Sequence, residues 1–345
     1  MRLSHEIITV HTKHRFVIAR GGSSEYRVVR VTVTDGDGAQ GWGEAAPNRF
    51  YGESVQTVEA ALARFAPLLE SADAWALEDA EAAMNGALGR NGSAKSAVSA
   101  ALHDLAAKRL GVPLYRLWGL DPSKAPRSSF TIAIAASAAE LEQRVAEAAE
   151  YPVLKIKLGT DRDAEIVRTV RGAAPNKTLR VDANAAWTPK QALRMIDVLV
   201  DHGVEFVEQP VPAHDVDGLR HVCERSKLPV IADESCVTAA DIPRLIGAVD
   251  GINIKLSKCG GLREALRMIA AARAHGLLVM AGCMIETSLG VTAAAHLAPL
   301  LDFADLDGAA LLRDDPYDGA TIDGGIIRIP DRPGLGVRTR DEAGR

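Results

Sequence analysis

Cysteine is scarce. The four in 345 residues, Cys223, Cys236, Cys259 and Cys283, lie far apart and never in a C-x-x-C spacing, which excludes a zinc ribbon and suits buried thiols in a reducing compartment. Dense basic runs are missing, and the formal net charge of −5 argues against a phosphate-backbone partner. Long apolar runs are missing as well: the opening MRLSHEIITVHTKHRF breaks its apolar pieces with polar and basic residues and offers neither a secretory core nor a membrane span. A cytoplasmic protein with no nucleic-acid or membrane partner is expected. The nine histidines form no metal-ligand cluster. His202 and His275 fall at predicted helix C-termini, where positive charge is favourable, and His296 lies in an apolar helical segment.

What is present is globular in kind, with 47% hydrophobic and 25% charged residues. From about residue 128, short apolar strands alternate with helical segments: FTIAIA, VLKIKL, LRVDAN, FVEQP, VIADE, GINIKL, LLVMAG and ADLDGA. Such alternation predicts a parallel sheet covered by helices. Ser137 with Glu140 reads as a capping box, and Thr188-Pro189-Lys190-Gln191 starts another helix. Predicted strand ends at Lys157, Asp182, Glu208, Asp233, Lys255 and Gly282 are separated by 25, 26, 25, 22 and 27 residues, one β/α unit each. Eight strands predict a closed (β/α) barrel with its site at the strand C-terminal ends, an open doubly wound sheet being the alternative.

The fold expected is α/β: a TIM-like (β/α)7β barrel over 121–317, an α+β capping domain over 1–120, and a C-terminal segment, 318–345, that folds back to complete the cap. Within the cap, EYRVVRVTVTDGDGAQGWGEA predicts a hairpin turning near Asp35 to Gly38, followed by helices over about 54–70, 76–87 and 93–110.

Polar exceptions on the barrel strands carry the chemistry. Lys155 and Lys157 in VLKIKLG alternate onto one strand face, although an ammonium removed from water is costly without compensation. Asp182, Glu208 and Asp233 end three successive strands, so their carboxylates should converge and repel unless a cation binds among them. Hard oxygen ligands favour Mg²⁺, with Mn²⁺ the near substitute. Capping would explain Asp182 or Asp233 singly, and a lysine pair Glu208 singly, but neither explains their shared phase. Lys155 and Lys157 precede the acids and Lys255 follows them, an arrangement suited to taking a proton from one face of a carbon and returning it to the other. The bland alternative is that the lysines merely neutralise the acids.

With KIK at 155–157, VDAN at 181–184, VEQP at 207–210, ADES at 232–235 and NIKLSKCGG at 253–261, the chain resembles the enolase superfamily, in its muconate-lactonizing-enzyme subgroup. MIETSLG at 284–290, Asp305-Leu306-Asp307, FYGES at 50–54 and PGLG at 333–336 are most similar to the dipeptide epimerases. The resemblance implies Asp182, Glu208 and Asp233 as Mg²⁺ ligands and Lys157 and Lys255 as paired acid/base catalysts. It gives Lys155 an auxiliary role, its charge depressing the Lys157 pKa. Lys258 is a rival to Lys255, in the turn beyond the strand.

By the same resemblance, Asp305 and Asp307 would clamp the substrate ammonium, Met284 would line the substrate pocket, and Arg20 would read a side-chain carboxylate, with Arg49 as competitor. Glu234 and Glu286 are placed as supporting residues. The implied activity is Mg²⁺-dependent 1,1-proton transfer through an enediolate, converting L-Ala-D-Glu to L-Ala-L-Glu in murein peptide recycling. The expected partner is a small dipeptide, with a homo-oligomer left open. Alternatives are o-succinylbenzoate synthase, N-acylamino acid racemase or cycloisomerase, and further off a Schiff-base aldolase using Lys255 or a non-catalytic metal-binding barrel.

Overall fold

The computed structural model describes residues 1–343. Three antiparallel strands open the chain: β1 (Arg2–Ile18), β2 (Gly21–Thr34) and β3 (Gln40–Ala45), in that order across the sheet. The turn between β2 and β3 falls at Asp35 to Ala39, where the Asp-Gly-Asp-Gly sequence directs it, and the Asp35 and Ala39 backbones close it. Three helices follow, α1 (Val55–Glu70), α2 (Leu77–Ala87) and α3 (Gly92–Arg109), and pack their apolar residues on Val29, Val31 and Val33 of β2. On β3, Gly41 and Gly43 face α3 so closely that an added Cβ would lie 1.9 Å and 2.0 Å from the carbonyls of Ala101 and Ala97. Period two on the strand thus meets the helix backbone directly.

Eight parallel strands form the second body: β4 (Phe130–Ile132), β5 (Val153–Lys157), β6 (Thr178–Asp182), β7 (Val204–Glu208), β8 (Val230–Ala232), β9 (Gly251–Ile254), β10 (Leu278–Gly282) and β11 (Phe303–Asp305), each paired with its sequence neighbour. Ser128 bridges Ala304 in parallel, and Ser129 N donates to Ala304 O at 3.0 Å, so the first and last strands meet at their bases. Apart from polar residues such as Lys155, Arg180 and Asn253, the strand interiors are apolar on both faces, because helices cover the outside and side chains fill the inside. FTIAIA supplies only three strand residues, since the chain turns off beyond Ile132, where Ile134 N takes Val17 O of β1 instead.

Helix starts follow local chemistry. Thr188 and Gln191 form the reciprocal capping box, with Pro189 in the first turn. At Ser137 the hydroxyl accepts from Glu140 N, but the Glu140 carboxylate reaches Ala136 N, one residue earlier than a capping box requires. His202 and His275 stand at helix C-termini as predicted. His296 stands just past the helix Ser288–Ala295, buried between Tyr115 N and Leu335 O at 3.1 Å each. Near the C-terminus the chain returns to α3, Leu335 N donating to Asp104 Oδ1 at 2.7 Å and Leu114 N to Gly334 O at 2.9 Å. Among the described residues, no helix is long and apolar enough to cross a membrane.

Candidate active site

β5 ends on Lys157, β6 on Asp182 and β7 on Glu208, and these three are direct register partners across the sheet. Asp233 and Lys255 stand one residue beyond β8 and β9. All five lie on the C-terminal rim, because neighbouring parallel strands in register bring equivalent residues side by side. Asp182, Glu208 and Asp233 each offer an oxygen within 4.8 Å of the other two, and all are buried. Burial first, then the charge of Asp182, pushes the Glu208 carboxyl up to about 7 despite nearby Lys155. Three buried carboxylates whose oxygens converge this closely form a hard-oxygen set, which fits Mg²⁺ or Mn²⁺.

The amines divide by their partners. Lys157 Nζ donates to Asp182 Oδ2 at 2.7 Å and Lys255 Nζ to Asp233 Oδ2 at 2.8 Å, one on each side of the acid cluster, and both line an open cleft of about 700 Å³. Lys258 has no proton left to move. Its ammonium meets Asp233 Oδ1 at 2.5 Å, Asp233 O at 2.7 Å, Asn253 O at 2.9 Å and Cys236 O at 3.1 Å, four acceptors for three protons. Lys155 is fully buried, 2.6 Å from both Glu208 Oε2 and Asp305 Oδ2 and 3.7 Å from Asp182. Burial opposes its charge, yet Asp305, Glu208 and Asp182 together hold its pKa well above that of an ordinary lysine. Three carboxylates thus compensate its charge.

Asp305 and Asp307 both line the cleft but are not equivalent. Asp305 accepts from Ser129 Oγ at 2.6 Å as well as from Lys155, and although burial disfavours its charge, Lys155 and Lys157 hold its pKa at about 2. Asp307 accepts from Thr131 N at 2.6 Å and Thr131 Oγ1 at 3.3 Å, and burial together with Asp305 pushes it up to about 7. Among the described residues, no lysine or arginine is ion-paired with Asp307. A cation entering the cleft would therefore find its unmatched partner in Asp307.

The tip between β1 and β2 leans over this cleft. Arg20, at that tip, does not project freely into it: the guanidinium pairs with Glu234 at 2.8 Å, donates to Asn184 O at 2.7 Å and lies 4.3 Å over the Phe50 ring. Arg49, exposed on the same rim, donates to Arg20 O at 2.5 Å. Met284 lines the cleft, its sulfur 3.5 Å from Asn48 Nδ2. Glu286 accepts from Met284 N at 3.0 Å, shaping that loop, and burial raises its pKa.

Sequence reasoning overlooked Ser129 and Thr131, which grip the two aspartates across the closing seam, and Asn253, whose Nδ2 donates to Glu208 Oε1 at 2.7 Å. Asn253 sits two residues before Lys255, so period two would have placed it on the same face. Nothing local marks the other two.

Two family models cover nearly the whole chain: "Mandelate racemase / muconate lactonizing enzyme, N-terminal domain" over residues 4–119 and "Enolase C-terminal domain-like" over 136–343. The L-Ala-D/L-Glu epimerase of Bacteroides thetaiotaomicron is 39% identical over 326 residues, covering 94% of this chain and 84% of that protein. An L-Ala-D/L-amino acid epimerase of Maribacter sp. is 39% identical, covering 98% and 99%. The crystal structure of the dipeptide epimerase from Cytophaga hutchinsonii, complexed with Mg and D-Ala-L-Val, superposes with a TM-score of 0.93 at 29% identity, covering 98% and 96%.

Proposed function

The chain belongs to the mandelate racemase / muconate lactonizing enzyme family of the enolase superfamily, and from that premise we propose that it is a Mg²⁺-dependent dipeptide epimerase working by proton transfer between Lys157 and Lys255. One observation supports the residue assignment above all: Lys157 and Lys255 line the same cleft from opposite sides of the acid cluster, each holding a different outer acid. Asp182, Glu208 and Asp233 would hold the ion, which supplies positive charge against the negative charge that develops on the substrate carboxylate as the α-proton leaves. Asp307, ordered by Thr131, takes the substrate ammonium. Asp305 completes that pocket with Lys155 and Ser129 fixed behind it. One lysine removes the α-proton from its face and the other, as an ammonium, donates to the opposite face.

L-Ala-D-Glu, a murein peptide, is our leading substrate, with a cytoplasmic site of action. Support for the acidic second residue is the pair of guanidinium groups, Arg20 and Arg49, on the rim. A substrate carboxylate must compete with Glu234 for Arg20, whereas Arg49, among the described residues, donates to the Arg20 carbonyl alone. Both are therefore assigned to the side-chain end, with Arg49 the readier of the two.

Deuterium uptake at the α-carbon, measured over a dipeptide panel in D₂O with Mg²⁺, tests the proposal. We expect uptake in Ala-Glu with inversion, none in its N-acetyl form, and none in excess chelator. Turnover of N-acyl amino acids in preference to free dipeptides would overturn it.

A further inference from the structure

The Gly260-Gly261 pair and Lys258 have no direct part in that mechanism, yet both lie in the turn that leaves Lys255. That turn, 256–261, rests on α3 of the N-terminal region. At the first residue of α3, Gly92, an added Cβ would lie 2.3 Å from Lys258 O and 2.7 Å from Ser257 O, so only a glycine admits this approach. Two turns on, Ser99 Oγ accepts from Leu262 N at 3.1 Å and donates to the buried Glu81 Oε1 at 2.5 Å. Gly261, at φ 138°, lets the chain pass Ser99, where an added Cβ would lie 2.4 Å from the serine Cβ. Gly260, at φ 95°, closes the turn beside Lys95. On the inner side of the same turn, Lys258 is anchored to Asp233, Asn253 and Cys236. The α3 helix itself is held at its start by Glu53, which accepts from Ser93 N at 3.3 Å.

We infer that α3 is the positioning element for Lys255: Gly92 and Ser99 grip the 256–261 turn from outside, Lys258 pins it from inside, and the ammonium of Lys255 is thereby fixed on its own face of the substrate. Neither Gly92 nor Ser99 touches the reacting atoms. Lys157 is carried by β5 on the far side of the acid cluster, where it holds Asp182. The inference rests on the epimerase reading for its consequence and on the contacts of Gly92, Ser99 and Lys258 for the grip itself.

The test makes Gly92→Ala and Ser99→Ala in the full chain and reads each in two ways. In amide hydrogen exchange by mass spectrometry, the peptide spanning 255–262 should exchange about tenfold faster, with the peptide spanning 153–158 unchanged. In D₂O with Mg²⁺ and Ala-Glu, wash-out of the α-proton should slow about tenfold for the stereoisomer whose proton faces Lys255 and stay within about twofold for the other. Equal slowing on both faces, or unchanged protection of 255–262, would overturn the inference. Should Gly92→Ala fail to fold, Ser99→Ala decides both readings. A wild-type chain that exchanges no dipeptide proton sinks the epimerase proposal, while the amide measurement still decides whether the grip exists.

Discussion

Lys155 illustrates how a residue's role depends on where its charge is spent. An amine beside Lys157 could tune its neighbour by repulsion, but this one is enclosed by Glu208 and Asp305 at 2.6 Å each. Replacing it by methionine strands two buried carboxylates, a loss of about 3–5 kcal/mol for a broken buried pair. Thermal unfolding of Lys155→Met should therefore show a large drop in Tm. A near-wild-type Tm would return Lys155 to the tuning role. The two cleft lysines behave differently. Lys157→Ala and Lys255→Ala should each abolish epimerisation while leaving one face of exchange, read as single-isomer deuterium uptake, and epimerisation at the wild-type rate in either would refute the two-base assignment. At Asp307, substitution by asparagine removes the unmatched charge, and kcat/KM for free dipeptides should fall about a hundredfold or more. Steady-state kinetics on Ala-Glu check it.

Elements transmit these placements. The alternation in GWGEA makes sense once α3 is seen lying on β3, because Gly41 and Gly43 leave no room for even a methyl group between strand and helix carbonyls. Gly43→Ala would set a Cβ 2.0 Å from Ala97 O and must push the helix away. We expect a loss of about 3 kcal/mol, the upper end for overpacking, seen as a lower denaturation midpoint in urea. An unchanged midpoint would mean that β3 and α3 separate at little cost. The capping box at Thr188 and Gln191 was legible because its partners are three residues apart, whereas at Ser137 only the hydroxyl half of the expected box forms. The grip of α3 on the Lys255 turn was not, since Ser99 and Leu262 are 163 residues apart.

At the scale of the whole molecule, two buried histidines make the fold sensitive to acid, and one of them, His296, joins distant parts of the chain. His103, on α3, is buried with Nδ1 2.7 Å from Ser99 O, and His296 is clamped between Tyr115 and Leu335; burial lowers both to about 4. Between the unfolded value near 6.5 and that folded value, the unfolded chain binds protons that the native chain refuses, so stability rises with pH there. The contribution is full above about 6.5 and is lost progressively down to about 4, amounting to about 3 kcal/mol per histidine. Because the Glu208 and Asp307 carboxyls, pushed up to about 7, act in the opposite sense over the same range, the comparison that isolates the ring is wild type against His296→Gln: the wild-type margin in urea midpoint should shrink as pH falls from 7 to 4.5. A margin independent of pH over that range would show that the His296 ring does not resist protonation.

What the sequence determined by itself is the phase: one polar residue at the end of each of five successive β/α units, so that Lys157, Asp182, Glu208, Asp233 and Lys255 had to meet on one rim wherever parallel strands stand in register. Periodicity and spacing are local properties and survive without any knowledge of packing. The helices over α1, α2 and α3 and the turn after β2 were legible for the same reason. Only the tertiary structure decided which groups remain available. Lys155 is consumed by Asp305, 150 residues away, and Ser129 by the same acid, 176 residues away, because the first and last strands close side by side. Arg20 is committed to Glu234 because the β1–β2 tip leans across the barrel mouth. Availability of a charge depends on its nearest opposite charge, and in a closed barrel that neighbour is set by closure rather than by sequence distance.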